Sequence, residues 1–177
     1  MNLINSFSGI TRKLIIATVA FLLYGYSCRL LGLYLFWESK SVGWTLFWVT
    51  VIFILRDRIK DKKIQNKKIL FEKIGIGFSI FIIIIKGALF FATQQTSAYD
   101  SAVNFIKSNP EIQSNVGTVN SVFLVPLGSV SMTTNSQGMA GQADLQFIVK
   151  GSKKYMDLNL LMYKDFNTDW QIEVAGR

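Results

Sequence analysis

The chain has 177 residues, half of them hydrophobic, and a net charge of +8. It contains no histidine and one cysteine, Cys28, so an intrachain disulfide is excluded and the commonest general base and metal ligand are missing. The charge is uneven: residues 1–93 carry thirteen Lys/Arg against four Asp/Glu, a balance of +9, while residues 94–177 carry six against seven, a balance of −1. A basic excess beside apolar runs reads as membrane topology and argues against nucleic-acid binding.

Residues 1–13 are short and polar, ending on Arg12 and Lys13. The 24 residues 14–37 are mostly apolar, interrupted by Arg29. This run is too long for the core of a secretory signal and is followed by no small-residue cleavage pattern, so it is expected to stay as an anchor. A polar break over 38–41 leads to 42–55, fourteen apolar residues that include Trp44 and Trp48. Fourteen residues are few for a full crossing. Two readings are open: a hairpin of 14–37 and 42–55 across the membrane, or an interfacial or re-entrant second arm. The hairpin is preferred because it returns the next segment to the side of Met1.

That segment, 56–73, holds eight Lys/Arg against Asp57, Asp61 and Glu72. Its plain reading is a loop kept in the cytoplasm by positive charge; its sharper reading is a polybasic patch for anionic lipid or an acidic partner. The plain reading prevails on sequence alone. Residues 74–93, IGIGFSIFIIIIKGALFFAT, are long enough to cross the ~30 Å hydrocarbon layer and carry one charge, Lys86. The charge distribution then predicts a cytoplasmic N-terminus and everything past residue 93 outside, in a periplasm or an intermembrane space. Arg29 and Lys86 are costly within spans and are candidate contact residues. Each either snorkels to the headgroups or meets an acidic membrane partner.

Past residue 93 the pattern changes. Ser97 is expected to cap a helix with Tyr99, Ala102, Val103 and Ile106 on one face. Asn109-Pro110 ends it and opens a short second turn that Gly117 closes. From 118 the period is two. Strands are predicted over 119–125 and 129–134, separated by a bend or bulge at Pro126-Leu127-Gly128. Next comes a strand with Ala143, Leu145, Phe147 and Val149 inward, then one with Met156, Leu158, Leu160 and Met162 inward. The last has Trp170, Ile172 and Val174. Hairpin-length connections make the sheet antiparallel, covered by the 97–108 helix. The fold class is therefore α+β: a membrane region over 1–93, then an extracytoplasmic α+β domain over 97–177.

The pattern Tyr99…Ala102…Phe105-Ile106…Asn109-Pro110…Ile112…Gly117 resembles the helix-and-turn opening of the cytochrome oxidase complex assembly protein 1 family. The alternating stretch from Gly141 through Ala143, Leu145, Phe147 and Val149 to Gly151, and the closing Trp170-x-Ile172, are similar to it as well. That family is related in fold to the domain of an inner-membrane presequence translocase subunit. The resemblance covers 99–177 only and rests on packing residues and turn glycines. It implies an anchored α+β domain in the periplasm or intermembrane space, a role in oxidase biogenesis, and no catalytic residues. Three spans in place of a single anchor depart from the family pattern.

No catalytic constellation stands out. Met132, Met139, Met156 and Met162 are the thioethers outside the spans, but 156 and 162 fall on the inward face and read as core filling. Serines lack a base, Lys150, Lys153 and Lys154 surround a turn, and Asp165 and Asp169 belong to a connection. The expectation is a non-catalytic membrane-anchored adaptor with no cofactor and no metal, taking a membrane-protein client or respiratory complex subunit as partner and the lipid bilayer as surroundings. Pro126 and Gly128 mark the segment expected to meet an extended partner strand. The alternatives are a polytopic immunity or stress protein acting through its spans, and an anchored ligand-binding module.

Overall fold

The computed structural model describes residues 7–136 and 138–175. The chain divides into two units, Met1–Lys86 and Gly87–Arg177.

The first unit is helical. Helix α1, Gly9–Leu31, opens on Ser8, whose hydroxyl accepts from the Thr11 N–H, and closes at Gly32, which is left-handed at φ 64°. A left-handed residue with its N–H returned to the Cys28 carbonyl ends a helix, and glycine adopts that conformation without a Cβ penalty. The apolar run expected over 14–37 is therefore cut at Leu31, and the residues after Gly32 form the turn into the next helix. Helix α2, Ser39–Ile64, starts inside the expected polar break and continues well beyond residue 55. Arg and Lys are good helix formers and no Gly or Pro interrupts them, so most of the expected 56–73 loop is helix and only 65–69 connects. Helix α3, Leu70–Gln94, begins four residues before the expected span and runs on into the second unit.

Among the described residues, two helices are long and apolar enough to cross a membrane, α1 and α3. At about 1.5 Å per residue they measure roughly 35 and 38 Å. Helix α2 is as long, but its charged C-terminal third leaves only 42–55 continuously apolar.

Helices α1 and α2 lie against each other along a seam of small and hydroxyl residues. Thr11, Thr18 and Gly25 recur every seven residues on α1, and Gly43, Thr50 and Asp57 do so on α2. The Thr18 and Thr50 hydroxyls are 2.7 Å apart, and the Thr11 hydroxyl donates to Asp57 Oδ2 at 2.6 Å. Gly25 leaves room for the backbone of Lys40, and Gly43 for Leu22. A seven-residue repeat keeps one stripe of each helix on the other through a left-handed supercoil. Small residues let the backbones approach closely where large ones would hold them apart.

The second unit is the α+β domain. Helix α4, Ser97–Ser108, is capped by Thr96, one residue before the expected Ser97, through a 3.2 Å bond from the Tyr99 N–H. Ser97 instead accepts from the Trp170 indole at 3.2 Å. Helix α5, Pro110–Val116, has Pro110 in its first turn and is capped by the Asn109 side chain, which accepts from the Glu111 and Ile112 N–H groups. Four strands follow, β1 Val119–Asn135, β2 Gly138–Gly151, β3 Tyr155–Lys164 and β4 Gln171–Val174. They form one antiparallel meander in chain order.

The core lies between the helices and one face of the sheet. It joins Ala98, Ala102, Ile106, Ile112 and Val116 to Leu145, Phe147, Val149, Leu158, Leu160 and Met162. The expected inward residues of β2 and β3 are these together with Ala143, except that Met156 is only partly buried against the core, as are Trp170, Ile172 and Val174 of the last expected strand. The helix face is as expected but shifted: Ala98, Ala102 and Ile106 are buried, and Tyr99 and Val103 flank them.

Candidate functional site

Strand β1 is an edge of the sheet: among the described residues the order β1-β2-β3-β4 leaves it paired to β2 alone. Its pairing breaks once in the middle. Leu124 lies opposite Phe147 and Gly128 opposite Leu145, so residues 125–127 face a single residue of β2. Pro126 sits in this bulge, where its missing N–H costs no ladder bond. Gly128 follows at φ 138°, with the Asp144 carbonyl where a Cβ would stand. Both the backbone angle and the space require glycine there.

The bulge and the last turns of α3 enclose a small apolar hollow. Leu89, Phe90 and Thr93 line it from the helix; Leu124, Pro126 and Gly128 line it from β1. Its volume of about 30 Å³ suits one water and falls far below the several hundred Å³ of small-molecule pockets. The Phe90 and Phe123 rings, 6.3 Å apart, add a further contact between the end of α3 and β1.

Beyond the bulge, Gly128–Asn135 pairs with β2 as far as the turn at Asn135 and Gly138. The segment reads GSVSMTTN and has no charged residue. Ser129, Ser131, Thr133 and Thr134 are exposed, while Val130 packs against the core. Edges are commonly blunted by lysine, by bulges or by shortness. Here the bulge blunts the first half only. At the other side of the sheet β4 has just four residues.

Two of the sequence-derived site residues, Pro126 and Gly128, therefore meet at one feature. Arg29 does something different. Its guanidinium donates to the carbonyls of Gly25 at 2.8 Å and Trp37 at 3.0 Å, and it lies 5.0 Å over the Trp37 ring. Tyr34 stacks on Trp37, and the Tyr24 hydroxyl donates to the Leu35 carbonyl. Arg29 thus ties the α1–α2 turn to the C-terminal end of α1, where a cation also favours the helix dipole. Lys86 is half-buried on α3 and, among the described residues, has no hydrogen bond or ion pair.

Sequence reasoning passed over the polar end of the helical unit. Asp57 is buried, accepting from the Ser8 N–H at 2.8 Å and from the Thr11 hydroxyl. Burial pushes this carboxyl up. The hydrogen bonds from Thr11 and Ser8 and the nearby Lys60 outweigh it and hold the group below its ordinary value. Asp57 lies past the apolar stretch of α2 and acts as a second cap on α1, placing negative charge at that helix N-terminus. Glu72 is also buried, bonded to Lys62 at 2.5 Å, which links α2 to the start of α3. The signal for Asp57 was the seven-residue spacing of Gly43, Thr50 and Asp57.

The groups weighed for chemistry take structural places. Met162 is fully buried in the core and Met156 packs against it. Lys150 lies 5.6 Å over the Tyr155 ring. In the β3–β4 connection the Thr168 hydroxyl accepts from the Asp165 N–H and the Thr168 N–H donates to the Asp165 carbonyl, with Asn167 left-handed between them. Among the described residues no three His, Cys, Asp or Glu converge as a metal site would require. No family model, curated protein or solved structure matches this chain.

Proposed function

We propose that this protein is a non-catalytic membrane-anchored adaptor whose α+β domain binds an extended segment of a membrane-protein client along the edge of β1. The observation that carries this reading is Gly128–Asn135: an uncharged strand segment paired on one side only, next to a bulge that ends the blunted half. Backbone N–H and C=O groups on such an edge accept an added strand, and the alternating Ser, Val and Thr side chains supply cross-strand contacts. The resemblance of 99–177 to the oxidase assembly family makes a respiratory complex subunit the first client to test.

In this reading α1, α2 and α3 all cross the bilayer. Helix α2 crosses alongside α1, with its Thr50 hydroxyl and Gly43 turned to α1 and its apolar side chains to lipid. The basic end of α2 stays with the N-terminus in the cytoplasm, and the domain emerges into the periplasm or intermembrane space.

The test is purification of the tagged full chain from its own membranes in mild detergent, with co-purifying proteins identified, alongside the variant Ser131→Lys/Thr133→Lys. Both side chains are exposed, so the fold is expected to hold while added lysines deter strand pairing. A client present with the unaltered chain and lost with the variant supports the reading. A client retained by the variant removes β1 as the contact.

A second reading, recognition through the spans by a polytopic immunity or stress protein, is favoured by one observation: Lys86, a cation within an apolar helix and without a partner among the described residues. A client lost with Lys86→Leu and kept with the β1 variant supports that reading instead.

A further inference from the structure

Between residues 56 and 73 the sequence sets eight cations against three acids, and the structure changes that balance. Asp57 is turned inward onto Ser8 and Thr11. Glu72 is buried and takes up Lys62. Of the acids only Asp61 faces solvent, whereas Arg56, Arg58, Lys60, Lys63, Lys67, Lys68 and Lys73 are all exposed. The exposed charges sum to +6 against +5 for the whole segment, so the surface keeps nearly all of its cations and only one of its acids.

Large apolar side chains stand exposed among these cations. Ile64 at the end of α2 is 82% accessible, and Leu70 and Phe71 at the start of α3 are 63% and 81% accessible. Cations interleaved with exposed Ile, Leu and Phe are the makeup of a surface that rests at the headgroup level, charges on phosphates and apolar groups at the acyl boundary.

We propose that the end of α2, the 65–69 connection and the first turn of α3 form a docking surface for anionic phospholipid headgroups. The assignment rests on the reading of α1–α3 as membrane spans. The occupant is lipid rather than an acidic protein for two reasons. The cations are interrupted by apolar side chains that an acidic surface would leave unsatisfied. The segment is also tethered between two apolar helices by five residues, so its cations stay beside the headgroups. Arg56 and Lys60 are one turn apart on α2, as are Lys60 and Lys63, which spreads the phosphate contacts along one side of the helix end.

The experiment reconstitutes the purified full chain into vesicles of phosphatidylcholine mixed with phosphatidylglycerol, re-extracts it in detergent, and quantifies the phospholipid that stays bound. Phosphatidylglycerol is expected to be enriched over its share of the vesicle on the order of tenfold. The enrichment should fall away in Lys63→Gln/Lys67→Gln/Lys68→Gln/Lys73→Gln and persist in the control Lys150→Gln/Lys153→Gln. Because the quadruple variant alters four side chains at once, the unaltered chain is also taken through a salt titration, where enrichment should drop as phosphate contacts are screened. Equal enrichment in the variant, or insensitivity to salt, overturns the headgroup assignment while leaving the spans intact. An acidic protein carried through purification by the unaltered chain and lost with the quadruple variant, with lipid retention unchanged, overturns it in favour of a protein partner. A chain that washes off these vesicles at alkaline pH overturns the membrane reading beneath it.

Discussion

The two units of this molecule bury opposite kinds of residue. In the helical unit the buried positions among the described residues are mostly small or polar, Thr11, Thr18, Gly25, Cys28, Ser39, Gly43, Thr50, Asp57, Glu72 and Ser79, with Trp37 the one large apolar side chain, while Ile16, Leu23, Leu30, Phe81 and Ile84 face outward. In the α+β domain the buried positions include Ile106, Leu145, Phe147, Val149 and Leu160, and the outward ones are mainly Ser, Asn, Thr, Asp and Gln. The difference follows from the solvent each arrangement suits. Water drives apolar surface inward at roughly 25 cal/mol per Å². Hydrocarbon gives no such drive between helices, so contact there is set by close approach of small residues and by hydrogen bonds. The same chain therefore carries two packing codes, and substitutions of one kind are expected to have different effects in the two units.

The largest expected effect separates the codes directly. Phe147→Ala empties the centre of the sheet core and is expected to cost about 3–5 kcal/mol of domain stability, read by denaturant or thermal unfolding of the full chain in detergent. Phe81→Ala, the same deletion at an exposed position of α3, is expected to cost far less; equal losses would break the distinction. Next comes a change in the opposite direction. Gly43→Leu adds the residue type that a water-facing core would accept, yet it forces α2 away from Leu22 of α1. A loss of roughly 1–3 kcal/mol in the helical hairpin is expected, measured by thermal unfolding followed at the helix signal.

Asp57 sharpens the comparison at the polar end of the hairpin. Its native carboxyl titrates below the unfolded value of about 3.9, so the stabilisation it gives is full above that pH and lost as pH falls through the native value. Unfolding temperature should therefore decline toward acid in the unaltered chain and decline less in Asp57→Asn, which should itself be weaker at neutral pH by roughly 1–2 kcal/mol. The smallest effect is expected for Thr18→Val, which removes one hydroxyl pair between α1 and α2. Interhelical bonds of this kind contribute about 0.6 kcal/mol, and a double-mutant cycle with Thr50→Val measures the coupling.

The α+β domain was legible in the sequence because its code is alternation. Ala143, Leu145 and Phe147 alternate with Gln142, Asp144 and Gln146, so their common face, the antiparallel hairpins and the bulge at Pro126–Gly128 follow from period and turn chemistry. The helical unit was read through hydropathy, which registers Thr18, Gly25, Gly43 and Thr50 as dilution of an apolar run. They are in fact the contact stripe. For the same reason α2 looked fourteen residues long: its charged end, which hydropathy counts as loop, is held helical and anchored by Asp57 against Ser8 and Thr11. The helix boundaries moved with local chemistry, at Gly32 for α1 and at Thr96 for α4.

The sequence by itself determined the order of the chain, apolar helices first and an α+β domain after, because length, hydropathy and period are local properties. It also determined which face of each strand turns inward. Only the tertiary structure decided that β1 is an edge, since strand order depends on which neighbours a strand lacks. It alone showed that Arg29 serves its own turn and that Asp57 and Glu72 are turned inward, leaving seven exposed cations beside one exposed acid. Partner choice among charged groups is a matter of distance in space, and spacing along the chain does not carry it.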